Sequence, residues 1–138
     1  MVSSHPLTPP PGTEVYRTRT AEIWIGPDDI ARLKIVASED PAHTLADADE
    51  NINAIPPEKR RPRPILIDLR RGRSISHEAR MRYREAPHLT AVALLVDSPI
   101  SRVIGSVFLG IAKLPVPTRL FTSAAQAIKW LEPFRIPP

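Results

Sequence analysis

Two short apolar runs constrain this chain more than anything else in it: Pro64-Ile-Leu-Ile-Asp-Leu69 and Ala91-Val-Ala-Leu-Leu-Val96. Neither alternates apolar with polar residues, so each reads as a strand buried on both faces, an arrangement found mainly in parallel sheets covered by helices. Parallel neighbours cannot be joined by a tight turn, and helices must intervene. The surrounding segments supply them. His43 to Ile55 places Leu45, Ala48, Ile52 and Ile55 at helical spacing, with Thr44 as N-cap and Pro56-Pro57 as stop, which predicts an amphipathic helix with an acidic outer face. Ser76 caps a second helix, SHEARMRYREA, that ends before Pro87. After Val96, Asp97-Ser-Pro99 opens the most apolar helix, with Ile100, Val103, Ile104, Val107, Phe108 and Ile111 on one stripe and Pro115 and Pro117 as its end. Thr118 to Phe121 gives a last strand, and Ser123 caps a final helix that turns Ala127, Ile128 and Leu131 inward.

Ahead of these units, Ile23 and Ile25 alternate with Trp24, Gly26-Pro-Asp-Asp29 supplies turn chemistry, and Ile30, Leu33, Ile35 and Val36 form a second run. That is a β-hairpin. The predicted order is ββαβαβαβα, a mixed, mostly parallel α/β sheet with helices packed on it. Such sheets carry function at the carboxyl ends of their strands, here Asp68-Leu-Arg-Arg71, Val96-Asp-Ser98 and Phe121-Thr-Ser123. Residues 1–15, rich in proline and small polar side chains, read as a disordered arm; 16–134 form one domain and 135–138 a tail.

With no cysteine, thiolate catalysis, cysteine metal sites and disulfides are excluded. The N-terminus lacks the basic-then-apolar pattern of a signal peptide and no run of about 18 apolar residues occurs, so the expected address is the cytoplasm, with no membrane span. The net charge of +4 is unevenly spread. Residues 58–85 hold ten Lys/Arg against four Asp/Glu, and the rest of the chain nine against eleven. One basic region therefore sits on a mildly acidic body.

The element order, together with ILIDLRRGRSISHEAR, VDSPISRVIGSVFLG and RLFTSAAQAIKWL, resembles the STAS superfamily over about residues 20–132, in particular the small bacterial SpoIIAA-like or STAS/SEC14 domains. The resemblance implies a protein-binding regulatory module of the anti-anti-sigma type. In that family an Asp-Leu strand end leads to an Asp-Ser-Ser-Gly turn whose serine is phosphorylated. Asp68-Leu69 matches the first part; at the second, Ser76 stands at the aspartate position and His77, Glu78 and Ala79 replace Ser-Ser-Gly. A slip of one residue would bring Ser76 to the switch position.

The candidate switch or anion site is therefore Ser76, or Ser74 in the same loop, aided by Arg70, Arg71 and Arg73. An ordinary N-cap is the competing reading of Ser76. The arginine tract has Tyr83 alone for base stacking and no nucleic-acid motif, which argues against nucleic acid; Glu78 and Arg82 are spaced for an exposed pair, and much of the tract reads as solvated surface. The four histidines have no metal-ligand spacing, and neither a nucleophile elbow nor a glycine-rich phosphate loop occurs. No cofactor or metal is expected, and no enzymatic activity.

On the helix after Pro99, Leu109 lies opposite the stripe, and Gly105 and Gly110 permit close approach, marking a candidate interface with a protein partner or a second copy of the chain. The expectation is a non-enzymatic regulatory or scaffolding module. Its rivals are a binder of a small ligand (lipid, nucleotide or anion) and a hydrolase or transferase with unrecognised residues, either of them favoured by a deep pocket with convergent polar groups.

Overall fold

The computed structural model describes residues 5–36, 42–72, 74–85, 88–99, 101–103 and 115–136. These form a six-stranded mixed sheet whose spatial order follows the sequence: β1 (Tyr16–Arg17), β2 (Ala21–Ile25), β3 (Ala31–Ile35), β4 (Arg63–Asp68), β5 (Leu89–Leu95) and β6 (Thr118–Phe121). β1, β2 and β3 pair antiparallel, whereas β3 to β6 pair parallel. The two continuous apolar runs lie in β4 and β5, each flanked by a strand on both sides.

Because the parallel strands are laid down in one direction, right-handed crossovers put their helices on one face. That face carries α1 (Leu45–Ile52) and α2 (His77–Arg84) over Ile23, Leu33, Ile65, Ile67, Val92 and Leu94. α3 (Ala124–Leu131) covers the other face, against Leu66, Ala91, Ala93 and Leu95. The strand period of two thus sorts successive residues of β4 and β5 into two cores. Pro64 interrupts β4 without breaking the sheet. The register shifts between Arg63 and Ile65, and a bulge is where a central strand tolerates a residue with no N–H.

The helix starts follow the expected chemistry. Thr44 Oγ1 accepts from the Asp47 amide while Asp47 Oδ2 accepts from that of Thr44, a reciprocal capping box; Ser76 and Ser123 cap α2 and α3 through the amides of Ala79 and Gln126. α1 is rotated from its expected orientation. Leu45 is 44% exposed, and the buried positions are Asp47, Ala48 and Asn51. Asn51 turns inward because partners for its amide lie beneath it, and Asp47 because Arg19 pairs with it at 2.5 Å. The expected Glu78–Arg82 pair gives way to Arg82–Asp49, 2.6 Å apart between α2 and α1. Most of the expected helix after Pro99 lies outside the described residues. Among those described, no helix is long and apolar enough to cross a membrane.

The expectation that residues 1–15 stay outside the core is corrected for 5–15. Leu7 is 3% exposed and belongs to the α3-side core. Its neighbour Pro6 offers a carbonyl to Arg32 Nε at 3.0 Å. Arg32, buried on that same face of β3, is further held by Asp28 through two bonds of 2.6 and 3.0 Å and by the Ile30 carbonyl. The hairpin turn leaves space for it. A Cβ at Gly26 would collide with the Arg32 guanidinium and lie 2.6 Å from Asp28 Oδ1. A buried guanidinium requires a full set of acceptors, and the arm supplies one of them.

Two stability outcomes follow. Leu66→Ala, on the filled α3 side, should lower the unfolding free energy by about 2–5 kcal/mol in denaturant titration. Deleting residues 1–8 should lower the melting temperature by several degrees, because it removes Leu7 and uncaps Arg32; an unchanged midpoint would mean that the arm does not dock.

Candidate functional site

The loop after β4 is arranged as a structural tie. Asp68, 1% exposed, accepts from Arg70 Nε and Nη2, both at 2.9 Å, and from the Arg70 amide at 3.0 Å. The pairing with Asp68 raises the Arg70 pKa above its ordinary value and commits that guanidinium to the strand end. Arg71 is exposed and Arg73 lies outside the described residues. Ser76 uses its hydroxyl as the α2 cap, and its amide donates to the His43 carbonyl at 2.9 Å. Ser74 is an exposed residue on the wall of a small cavity of about 30 Å³. Of the expected anion site, Arg70 is thus engaged by Asp68 and the Ser76 hydroxyl by the start of α2. Gly105, Leu109 and Gly110 lie outside the described residues.

A different set of polar groups converges between α1, α2 and the sheet. Asn51 Nδ2 donates to Thr20 Oγ1 at 3.0 Å and to the Tyr83 hydroxyl at 2.9 Å, while Asn51 Oδ1 accepts from Thr18 Oγ1 at 2.5 Å. The Tyr83 hydroxyl also shares a hydrogen bond with His43 Nε2, 2.7 Å away. Burial lowers the His43 pKa, and Arg19 adds to the effect while Asp47 opposes it; burial raises the Tyr83 hydroxyl well above its ordinary value. Tyr83, which the sequence offered as a stacking surface, is an interior strut.

Beside this strut lies a chamber of about 170 Å³. Its walls are apolar, from Ile23 and Leu33 on the sheet, through Ile65, Ile67 and Val92, to Ile52 and Ile55 after and along α1. Tyr83 and Asn51 line it as well. The basic tract forms the rim, with Arg60, Arg61, Arg63, Arg82 and His88. Asp29 is shared by Arg61 and by Arg63 Nε at 3.2 Å, and Arg63 Nη1 reaches the Lys59 carbonyl. Arg60 bonds to the carbonyls of Ile55 at 2.8 Å and Asn53 at 3.3 Å. His88 and Asp29 both have positive φ, 66° and 62°, so strained backbone flanks the rim, as it does at many binding sites. Sequence reasoning marked the tract as basic but missed its position over a chamber, because that depends on where β4 bulges and α1 turns. Among the described residues no group of His, Cys, Asp and Glu is placed to hold a metal ion.

Acid should weaken this region in a defined order. The depressed His43 favours the fold above the unfolded-state value, so stability falls as pH drops below about 6.5. The Asp47 carboxyl, held well below the usual range by Arg19, contributes until pH falls below about 4. His43→Gln, which retains a hydrogen-bonding side chain, should flatten the melting-temperature profile between pH 7 and pH 5 relative to the wild type.

Comparison with known proteins adds the fold and the family. The chain is similar to an uncharacterised protein of the DUF3478 family from Shewanella loihica PV-4, whose crystal structure has a SpoIIAA-like fold. The match covers 87% of this chain and 92% of that one at 14% identity, with a TM-score of 0.54. The SpoIIAA-like fold expected from the sequence is thereby shown. A protein of unknown function from Arthrobacter sp. FB24 is 30% identical over 79% of this chain and 90% of that one, with a TM-score of 0.30. No curated protein matches. The model of a domain of unknown function, DUF7793, matches residues 23–135, from the second strand of the sheet to beyond its last helix, and the chain belongs to that family.

Proposed function

We propose that this domain binds a small apolar molecule in the chamber between the sheet and the α1–α2 pair, and that it does so without transforming it. The observation that carries this reading is the chamber itself. Protein interiors are close-packed, and unfilled apolar space lowers stability. Here about 170 Å³ stands open beside fully buried strands, next to a polar cluster whose hydrogen bonds fix part of its wall. A dry cavity of about 150 Å³ accommodates benzene, so the occupant has roughly six to eight heavy atoms. The rival protein-docking reading draws on Gly105, Leu109 and Gly110, outside the described residues, whereas the chamber supports the ligand-binding reading.

Titration of the labelled protein with n-hexanol tests this. Amide shifts should concentrate on Ile23, Leu33, Ile52, Ile65 and Val92. Ile55→Phe, which fills part of the chamber from its wall, should weaken binding while preserving the fold. Scattered shifts, or equal affinity in Ile55→Phe, would remove the chamber as a binding site.

A further inference from the structure

Resting on the reading of the chamber as a ligand site, we propose that its ligand carries a carboxylate: a small free organic acid of about six carbons, with its apolar body in the chamber and its oxyanion at the arginine rim. The charge around the opening is one-sided. Four arginines and a histidine line the chamber, and no acidic residue lines it among those described. Behind the rim, two carboxylates serve these guanidiniums, Asp29 for Arg61 and Arg63 and Asp49 for Arg82. Cationic charge is left in excess at the opening of an apolar space.

Arg60 is the residue that meets the oxyanion. Its guanidinium is held by the carbonyls of Ile55 and Asn53, which line the same chamber, and no carboxylate pairs with it among the described residues. Two backbone acceptors fix the plane of the group yet leave N–H donors unspent, because guanidinium carries five. A positioned guanidinium with spare donors beside apolar walls suits a carboxylate, which it grips through two parallel bonds. A neutral ligand would gain nothing from that charge, and a cationic one would be repelled.

The arrangement also orients the ligand. Tyr83 and Asn51, polar residues of the lining, have their hydroxyl and amide engaged with His43, Thr18 and Thr20, whereas Arg60 is exposed. The two offer a polar cluster already satisfied from within, whereas the rim offers charge. The carboxylate accordingly stays outward and the hydrocarbon inward.

Calorimetric or NMR titration with hexanoate, n-hexanol and hexylamine, three probes of equal length and different charge, reads the proposal directly. Hexanoate should bind wild-type protein about tenfold more tightly than hexanol, the scale of one charge-assisted contact, and hexylamine more weakly than either. The advantage should shrink with added salt, since the rim is solvent-facing. Arg60→Gln should bring hexanoate to within about twofold of hexanol with hexanol affinity unchanged, while Arg60→Lys keeps most of the preference. Arg71→Gln removes an equal charge from an exposed loop outside the chamber lining and should leave the ratio intact. If hexanol binds and hexanoate gains nothing over it, or if Arg60→Gln leaves the preference in place, the carboxylate assignment falls and the chamber reading stands. If none of the three probes binds, both fall.

Discussion

The arrangement on the α1–α2 face depends on one buried side chain, Asn51. An amide in an apolar interior is tolerated only where its hydrogen bonds are met, and here they are met by strand-side threonines and by a tyrosine on the neighbouring helix. α1 cannot slide down onto the sheet without breaking those bonds, nor can α2, because Tyr83 is held by both Asn51 and His43. The pair is fixed above the strands at a height set by polar contacts, and apolar side chains alone do not fill the interval. On the opposite face, among the described residues, the contact between helix and sheet is apolar. There Ala127 and Leu131 of α3 meet Leu66, Ala93 and Leu95 directly.

This difference between the faces explains which parts of the molecule were legible in the residues. The strands carrying Ile65 to Asp68 and Ala91 to Leu95 were, because burial on both sides leaves a continuous apolar run, and so were the caps at Thr44, Ser76 and Ser123, because capping is decided within four residues. Local spacing misjudged α1. It ranked Leu45 above Asn51 as an inward residue, since the period weighs hydrophobicity and cannot see Thr18, Thr20 and Tyr83, each more than thirty positions away. Leu7 was lost for the same reason: an isolated leucine among prolines gives no pattern, and its partners lie at the far end of the chain.

The candidate site was half-legible in the same sense. Its charge was visible, as a tract of arginines after a double proline, whereas its location was not. Arg63 is buried and tied to Asp29 across 34 positions, and Arg60 is folded back onto Ile55 and Asn53. The fold similarity drew attention instead to the loop after Asp68. In this chain that loop is closed by its own ion pair, and the arginines that line the chamber come from the segment before β4, from its first residue and from α2.

The sequential strand order bears on how the chain acquires its structure. Each strand pairs with its immediate predecessor, so the sheet can lengthen one strand at a time and no closure spans more than one crossover. Leu7 is the exception. It shares a core cluster with Ala127 and Leu131, about 120 positions away. Its docking place is incomplete until the last helix is seated, so the arm is a closing clasp, joining after the sheet has formed and contributing little to the speed of assembly. Its effect belongs to the rate of opening: interactions made late leave the folding rate alone and slow unfolding.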